Sequence, residues 1–303
     1  MHPYRIKTIS EYHRVTGLSK PEHPLISMID IETVTPPDVE GPISLIFDFY
    51  SIAVKRDMGN RLKYGQQTCD FDEGILFCTA PGQVINIQLK TDTEQAASGW
   101  MILIHPDFLW NTPLAKNIKQ YGYFNYSVYE ALNLSDKEEV IVTNIANNIK
   151  QEYHNNIDKF SQPVIIAQLE VILTYIDRFY QRQFLTRKIE SHKIIERLEE
   201  VISTYFGDEK LASNGLPTVA YIAAELNVSP SYLSEMLKAL TGQSTQQHIH
   251  DKLIEKAKEQ LSTTGLSISE IAYGLGFEHL QSFSKLFKTK TNLSPLAFRK
   301  GFN

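Results

Sequence analysis

An internal repeat in the last third of the chain constrains its fold more than any other feature. Ile222-Ala223-Ala224-Glu225-Leu226-Asn227-Val228 is followed by Leu233 and Leu237, and Ile271-Ala272-Tyr273-Gly274-Leu275-Gly276-Phe277 by Phe283 and Phe287. Ile222, Ala223, Leu226 and Val228 map onto the second copy at an offset of 49 residues, and Leu233, Leu237 and Ser244 onto Phe283, Phe287 and Ser294 at an offset of 50. One inserted residue accounts for the change. In each copy the apolar spacing suits a short helix, and Ala223 or Ala272 lets a second helix approach closely. A turn follows at Asn227 or Gly276, residue types that tolerate a left-handed backbone. Ser229-Pro230 then reads as an N-cap with proline at the first helical position. The second copy opens with a capping box, Ser267 to Glu270. Helix, turn of about three residues, helix is the geometry that lays a second helix in the major groove of DNA. Between the copies, Thr245–Leu261 reads as one helix of roughly 25 Å, with Ile249, Leu253, Ala257 and Leu261 on one stripe. That length suits two recognition helices about one DNA turn, near 34 Å, apart.

Charge does not make this case. The 303 residues carry a net charge of −5, and residues 191–303 hold 12 basic and 12 acidic residues. From Ser229 onward there are nine basic and six acidic, so the end of the chain repels phosphate less but bears no basic stripe. Composition is otherwise ordinary for a globular chain of about two domains, with 42% hydrophobic and 21% charged residues. The two cysteines, Cys69 and Cys78, form no C-x-x-C, and burial as free thiols is expected. The N-terminus lacks a signal-like apolar stretch and no 18-residue apolar run occurs, so a soluble, cytoplasmic protein with no membrane contact is expected.

Upstream, residues from about 8 to 105 read as short strands. Ile43–Tyr50, Ile75–Cys78, Val84–Ile87 and Trp100–Ile104 are rich in β-formers and are separated by Gly, Pro and Asp clusters, the pattern of a barrel or sandwich. Helical periodicity begins after about Asp107. Ser135 and Glu138 form a capping box that opens a helix to about Asn156. A second helix starts near Gln162, with an apolar stripe of Ile165, Leu169, Ile172, Leu173, Ile176 and Phe179. Arg182, Arg187 and Lys188 suit its C-terminus, and the polar stretch 186–191 is the expected linker.

The segments Ser267–Phe277, Phe283-Ser284-Lys285-Leu286-Phe287-Lys288 and Leu293–Lys300 resemble the AraC-type (arabinose-operon-regulator-like) transcription regulator family, with the likeness spanning about residues 192–303. The resemblance implies recognition helices at about Pro230–Leu240 and Leu280–Lys290 acting on adjacent grooves. Its candidate DNA-facing residues are Ser231, Tyr232, Ser234, Glu235 and Lys238 in the first unit, and His279, Gln281, Ser282, Ser284, Lys285 and Lys288 in the second. Polar side chains there read base edges or neutralise phosphate. Glu235 departs from the basic or neutral residue frequent in the family, and Asn292 from the usual glycine. A weaker likeness, in Phe71-Asp72-Glu73-Gly74, Ile75-Leu76-Phe77 and Pro81-Gly82-Gln83, extends to the family's sensory half.

The implied fold is α+β: a cupin-like β-barrel sensor over 1–135, a helical dimerisation segment and linker over 136–190, and a tandem helix-turn-helix domain over 191–303. The implied partners are double-stranded DNA, RNA polymerase, a small-molecule effector and a second copy of the chain, with the stripe Ile165–Phe179 as candidate dimer face. Packing of that stripe within its own chain is the competing reading. An effector-responsive activator is the expected function, with repression open.

Catalytic chemistry finds no support. His2, His13, His23, His105 and His154 are isolated, and the pair in His248-Ile249-His250 sits on a helix, where positions i and i+2 do not face each other. No metal site, cofactor motif or catalytic residue is expected. Asp48, Asp70, Asp72 and Glu73 read as an exposed acidic turn rather than a paired-carboxylate site. Phe47, Phe49, Tyr50, Phe77, Trp100 and Trp110 read as core rather than as the wall of an effector pocket. The alternatives are a cupin-type enzyme fused to a regulator, which requires a bound metal, and a protein-interaction module, whose association is insensitive to salt.

Overall fold

The computed structural model describes residues 3–35, 42–56, 74–88, 98–127, 130–155, 158–186, 188–207, 211 and 215–302. It divides into two compact units, Met1–Gln183 and Phe184–Asn303. His2, Cys69, Asp70, Phe71, Asp72, Glu73 and Arg187 lie outside the described residues.

The first unit contains strands β1 (Tyr4–Ile6), β2 (Ile26–Asp30), β3 (Pro42–Phe47), β4 (Tyr50–Arg56), β5 (Ile75–Thr79), β6 (Val84–Gln88), β7 (Ser98–Ile104) and β8 (Leu132–Asn133). Helix α1 (Ile9–Val15) follows β1, and α2 (Leu114–Asn117), α3 (Asp136–His154) and α4 (Ser161–Thr186, of which Phe184–Thr186 belong to the second unit) follow β7. The expected strand over 43–50 is two strands, because Asp48 and Phe49 turn the chain between β3 and β4. The Asp48 amide donates to the Ile6 carbonyl at 3.1 Å, and its carboxylate meets Arg5 Nε at 2.8 Å.

The strands form two open sheets, ordered β1-β3-β6 and β2-β7-β4-β5-β8. A closed barrel is not among the described strand pairings. Residues of both sheets pack into a core holding Ile6, Ile9, Tyr12, Phe47, Phe49, Ala53, Ile85, Met101 and Leu103. Within it Phe47 stacks on Phe49 at 5.1 Å, and Tyr12 meets Phe47 edge-on at 5.6 Å. Each such ring contributes roughly 1.5–3 kcal/mol by burial. Phe47, Phe49, Tyr50 and Trp100 are buried as expected of core, whereas Trp110 is 61% exposed. Cys78 is buried, and burial pushes its thiol up.

Helix α3 opens with the expected capping box, the Ser135 amide donating to Glu138 at 3.0 Å. Helix α4 is held to its own unit by directional contacts. Tyr123 donates to the Leu173 carbonyl at 2.9 Å, Gln183 accepts from the Asn133 amide at 2.9 Å, and Arg182 pairs with Glu138 at 2.5 Å. The stripe Ile165, Leu169, Ile172, Leu173, Ile176 and Phe179 therefore lies 0–5% exposed inside this unit. It is not available to a second copy, which corrects its assignment as the dimer face.

The second unit is helical: α5 (Lys188–Gly207), α6 (Val219–Glu225), α7 (Pro230–Thr241), α8 (Thr245–Thr263), α9 (Ile268–Gly274), α10 (Leu280–Thr291) and α11 (Pro295–Lys300). Residues 188–191, expected as linker, belong to α5. Helices α5, α7, α9, α10 and α11 all pack on α8, whose Ile249, Leu253, Ile254, Ala257 and Leu261 are buried. Among the described residues, no helix is long and apolar enough to cross a membrane.

Candidate nucleic-acid interface

The two copies of the repeat fold alike down to single hydrogen bonds. In the first, α6 ends as the Leu226 amide donates to the Ile222 carbonyl at 3.1 Å, and the chain then turns through Asn227 at φ 57°. In the second, α9 ends with Leu275 donating to Ile271 at 2.9 Å, and the turn runs through Gly276 at φ 79°. Each turn is closed by one long backbone bond, Val228 to Ala223 at 3.0 Å and Phe277 to Ala272 at 3.1 Å. Both small residues are fully buried, as are Leu233 and Leu237 on α7 and Phe283 and Phe287 on α10. The second helices of the two copies, α7 and α10, also end alike, with left-handed caps at Gly242 (φ 76°) and Asn292 (φ 61°). Asn292 thus does the work of the more usual glycine, since a short polar side chain tolerates this conformation. Ser244 and Ser294 cap the helices that follow.

The second unit presents the fuller polar face. With Phe283 and Phe287 turned inward, α10 exposes Gln281, Lys285 and Lys288 at i, i+4 and i+7, with Ser282 beside them. Ser284 is half-buried. His279 is exposed at the N-cap position and makes no capping bond with its side chain.

The first unit differs. Lys238 is exposed, while Ser231, Tyr232, Ser234 and Glu235 are half-buried. Two of these have a neighbour that sequence spacing did not reveal. The Tyr232 ring lies edge-on to Phe184 at 5.2 Å, and the Ser234 hydroxyl is 3.2 Å from that of Thr245. Glu235 and Lys285 occupy equivalent positions of the two helices, so the copies present opposite charge at the same point. Lys290, beyond the exposed trio, is paired with Asp251 of α8 at 2.6 Å.

His248 bonds Thr241 Oγ1 at 3.0 Å and, like His250, is held below the usual imidazole range, chiefly by burial. Among the described residues, no cluster of three or more metal-binding side chains occurs.

Comparison with known proteins matches the helix-turn-helix domain family to residues 222–301. The arabinose operon regulatory protein of Escherichia coli (strain K12) is 32% identical over 124 residues, 39% of this chain and 42% of that protein. An uncharacterized HTH-type transcriptional regulator from the cgkA 5′ region of Pseudoalteromonas carrageenovora is 30% identical over 116 residues, 38% of this chain and 67% of that protein. The C-terminal domain of AraT, a response regulator from Geobacillus stearothermophilus, matches at 34% identity and a TM-score of 0.32, over 36% of this chain and 84% of that one. The matched region spans less than half the length of several of the curated relatives.

Proposed function

The chain belongs to the AraC-type family of helix-turn-helix transcription regulators, and from that premise we propose that it binds double-stranded DNA with both units of its C-terminal repeat. The observation that carries this reading is the duplicated geometry: two helices of twelve residues, each entered through the same left-handed turn, with apolar faces buried on one shared helix. Helix α8 has 19 residues, about 28 Å, which supports contact with two successive major grooves. On this reading His279, Gln281, Ser282, Lys285 and Lys288 read bases or bind phosphate in one groove, with Ser284 at the edge of that face. Ser231, Glu235 and Lys238 serve the other. Tyr232 and Ser234 support α7 through Phe184 and Thr245 more than they face DNA.

The first unit of the molecule is proposed as an effector sensor, and its two sheets packed on a shared core are compatible with a cupin-like barrel. Effector binding would shift the balance between states that differ in DNA affinity. Activation through RNA polymerase is the mode the family suggests.

A homodimer is part of the same proposal, through a face of α4 other than the buried stripe. Phe160, just before α4, and Val164, Ala167, Val171, Thr174 and Arg178 on it recur at alternating spacings of four and three, and all are exposed. That is the period of a coiled-coil seam. A hollow of about 330 Å³ adjoins it, lined by Trp110, Pro113, Pro163, Ile166, Ala167 and Glu170. A parallel pairing would set Arg178 against its own copy, so charge favours antiparallel pairing, which brings Arg178 opposite the apolar N-terminal end of the seam.

The DNA reading is tested by selecting random duplex DNA on the full chain at fixed salt. Recovery of two short motifs about one helical turn apart, with affinity falling steeply as salt rises, is the expected result. No enrichment, together with salt-insensitive association with other proteins, would replace it with the protein-interaction reading.

A further inference from the structure

One carboxylate ties the far ends of both recognition helices to the helix between them. Asp251 lies on α8. Its Oδ2 accepts from Gln243 Nε2 at 2.9 Å, and its Oδ1 meets Lys290 Nζ at 2.6 Å. Gln243 stands just past the end of α7, next to left-handed Gly242, and Lys290 lies in the last turn of α10, just before left-handed Asn292. Each oxygen is committed to a different copy of the repeat. The apolar contacts that seat both copies on α8 are non-directional, so by themselves they tolerate small slides and rolls. The two polar contacts do not, because a shift of either copy along α8 stretches one of them beyond hydrogen-bonding distance.

We infer that Asp251 is a positioning residue that sets the distance and angle between α7 and α10, and thereby the spacing between the two DNA motifs that this protein accepts. The inference rests on the DNA-binding reading above. It assigns to a residue outside both sets of candidate DNA-facing side chains a role in sequence choice, exerted through geometry rather than through a base contact.

The test uses the full chain and duplexes carrying the two selected motifs at the selected spacing, with one or two base pairs added or removed, and with one motif alone. The unaltered protein is expected to lose affinity when the spacing changes. Asp251→Ala is expected to bind the selected spacing two- to fivefold more weakly, roughly the worth of exposed polar pairs. Its penalty for altered spacing should shrink, and its binding to one motif alone should not change. The charge-swapped pair Asp251→Lys with Lys290→Asp restores the contact in the opposite sense and should recover the original spacing preference, which a merely unfolded variant could not do. An unchanged spacing penalty in Asp251→Ala, or equal losses on one-motif and two-motif DNA, overturns the inference. Failure of the unaltered chain to retain two-motif DNA at all instead overturns the DNA reading, and the inference falls with it.

Discussion

Glu235 and Lys285 show how much a single side chain can separate two copies of one structure. Both are the sixth residue of equivalent helices, yet one carries the charge that repels phosphate and the other the charge that attracts it. Lys285 is exposed and turned away from Phe283 and Phe287. Lys285→Ala is therefore expected to weaken specific DNA binding by about 1–3 kcal/mol, as for a lost base contact. Equal affinity of the two proteins for the selected DNA at matched salt would remove Lys285 from the reading set. Turn residues carry a different kind of necessity. At Gly276 a Cβ would sit 2.9 Å from the Leu211 carbonyl oxygen and 3.0 Å from Gly215, at a backbone φ of 79°. Gly276→Ala should thus cost about 1–3 kcal/mol in urea unfolding. Asn292→Gly, at φ 61°, should leave stability within about 1 kcal/mol of the starting protein.

Two helices carry contrasting faces that a point substitution can separate. On α4, Ile172 is fully buried and Val171, its neighbour, is 45% exposed. If the proposed dimer forms through this face, Val171→Asp is expected to leave the chain folded and to shift it from dimer to monomer in light scattering. Ile172→Asp places an unpaired carboxylate in the core and should lower Tm sharply. A Val171→Asp protein that stays dimeric would place the interface elsewhere. On α8, His248 and His250 are held below their ordinary pKa of 6.5, first by burial. Their folded-state values are the lower ones, so the unfolded chain takes up protons first as pH falls. Stability should therefore decline as pH drops through 6.5 and below. Tm measured between about pH 7.5 and 5.5 should fall less in the double variant His248→Gln, His250→Gln than in the starting protein.

At the scale of the whole molecule, the proposed dimerisation would double the number of proposed recognition helices from two to four. A linked second copy binds a second DNA site at a high effective concentration, so avidity exceeds the affinity of one copy. Val171→Asp should accordingly bind a duplex with one pair of motifs as the unaltered protein does. On a duplex with two such pairs it should lose about tenfold or more, within the range expected for bivalency. Equal loss on both duplexes, read by gel shift at one salt concentration, would mean that the substitution harms the DNA-binding unit itself. The net charge of −5 adds a general repulsion from DNA, so on the proposed reading affinity leans on exposed basic residues such as Lys238, Lys285 and Lys288 and should fade quickly with salt.

The tandem helical unit was legible in the sequence because its determinants are local. Caps at Ser229 and Ser267, left-handed turn residues at Asn227 and Gly276, and apolar spacings of three and four all act within one or two turns of chain. The sequence also determined that the repeat shares one connecting helix. It could not decide which face of α4 is inside, since Ile165–Phe179 and Phe160–Val171 are both apolar at helical spacing. Contacts to segments far away in the chain, those of Tyr123, Gln183 and Arg182 among them, hold the first inward. The same holds for Tyr232, Ser234 and Lys290, whose partners Phe184, Thr245 and Asp251 lie 11 to 48 residues away. Helix propensity and capping are settled by neighbours along the chain, whereas burial and the commitment of a polar side chain are settled by whatever the fold brings against it.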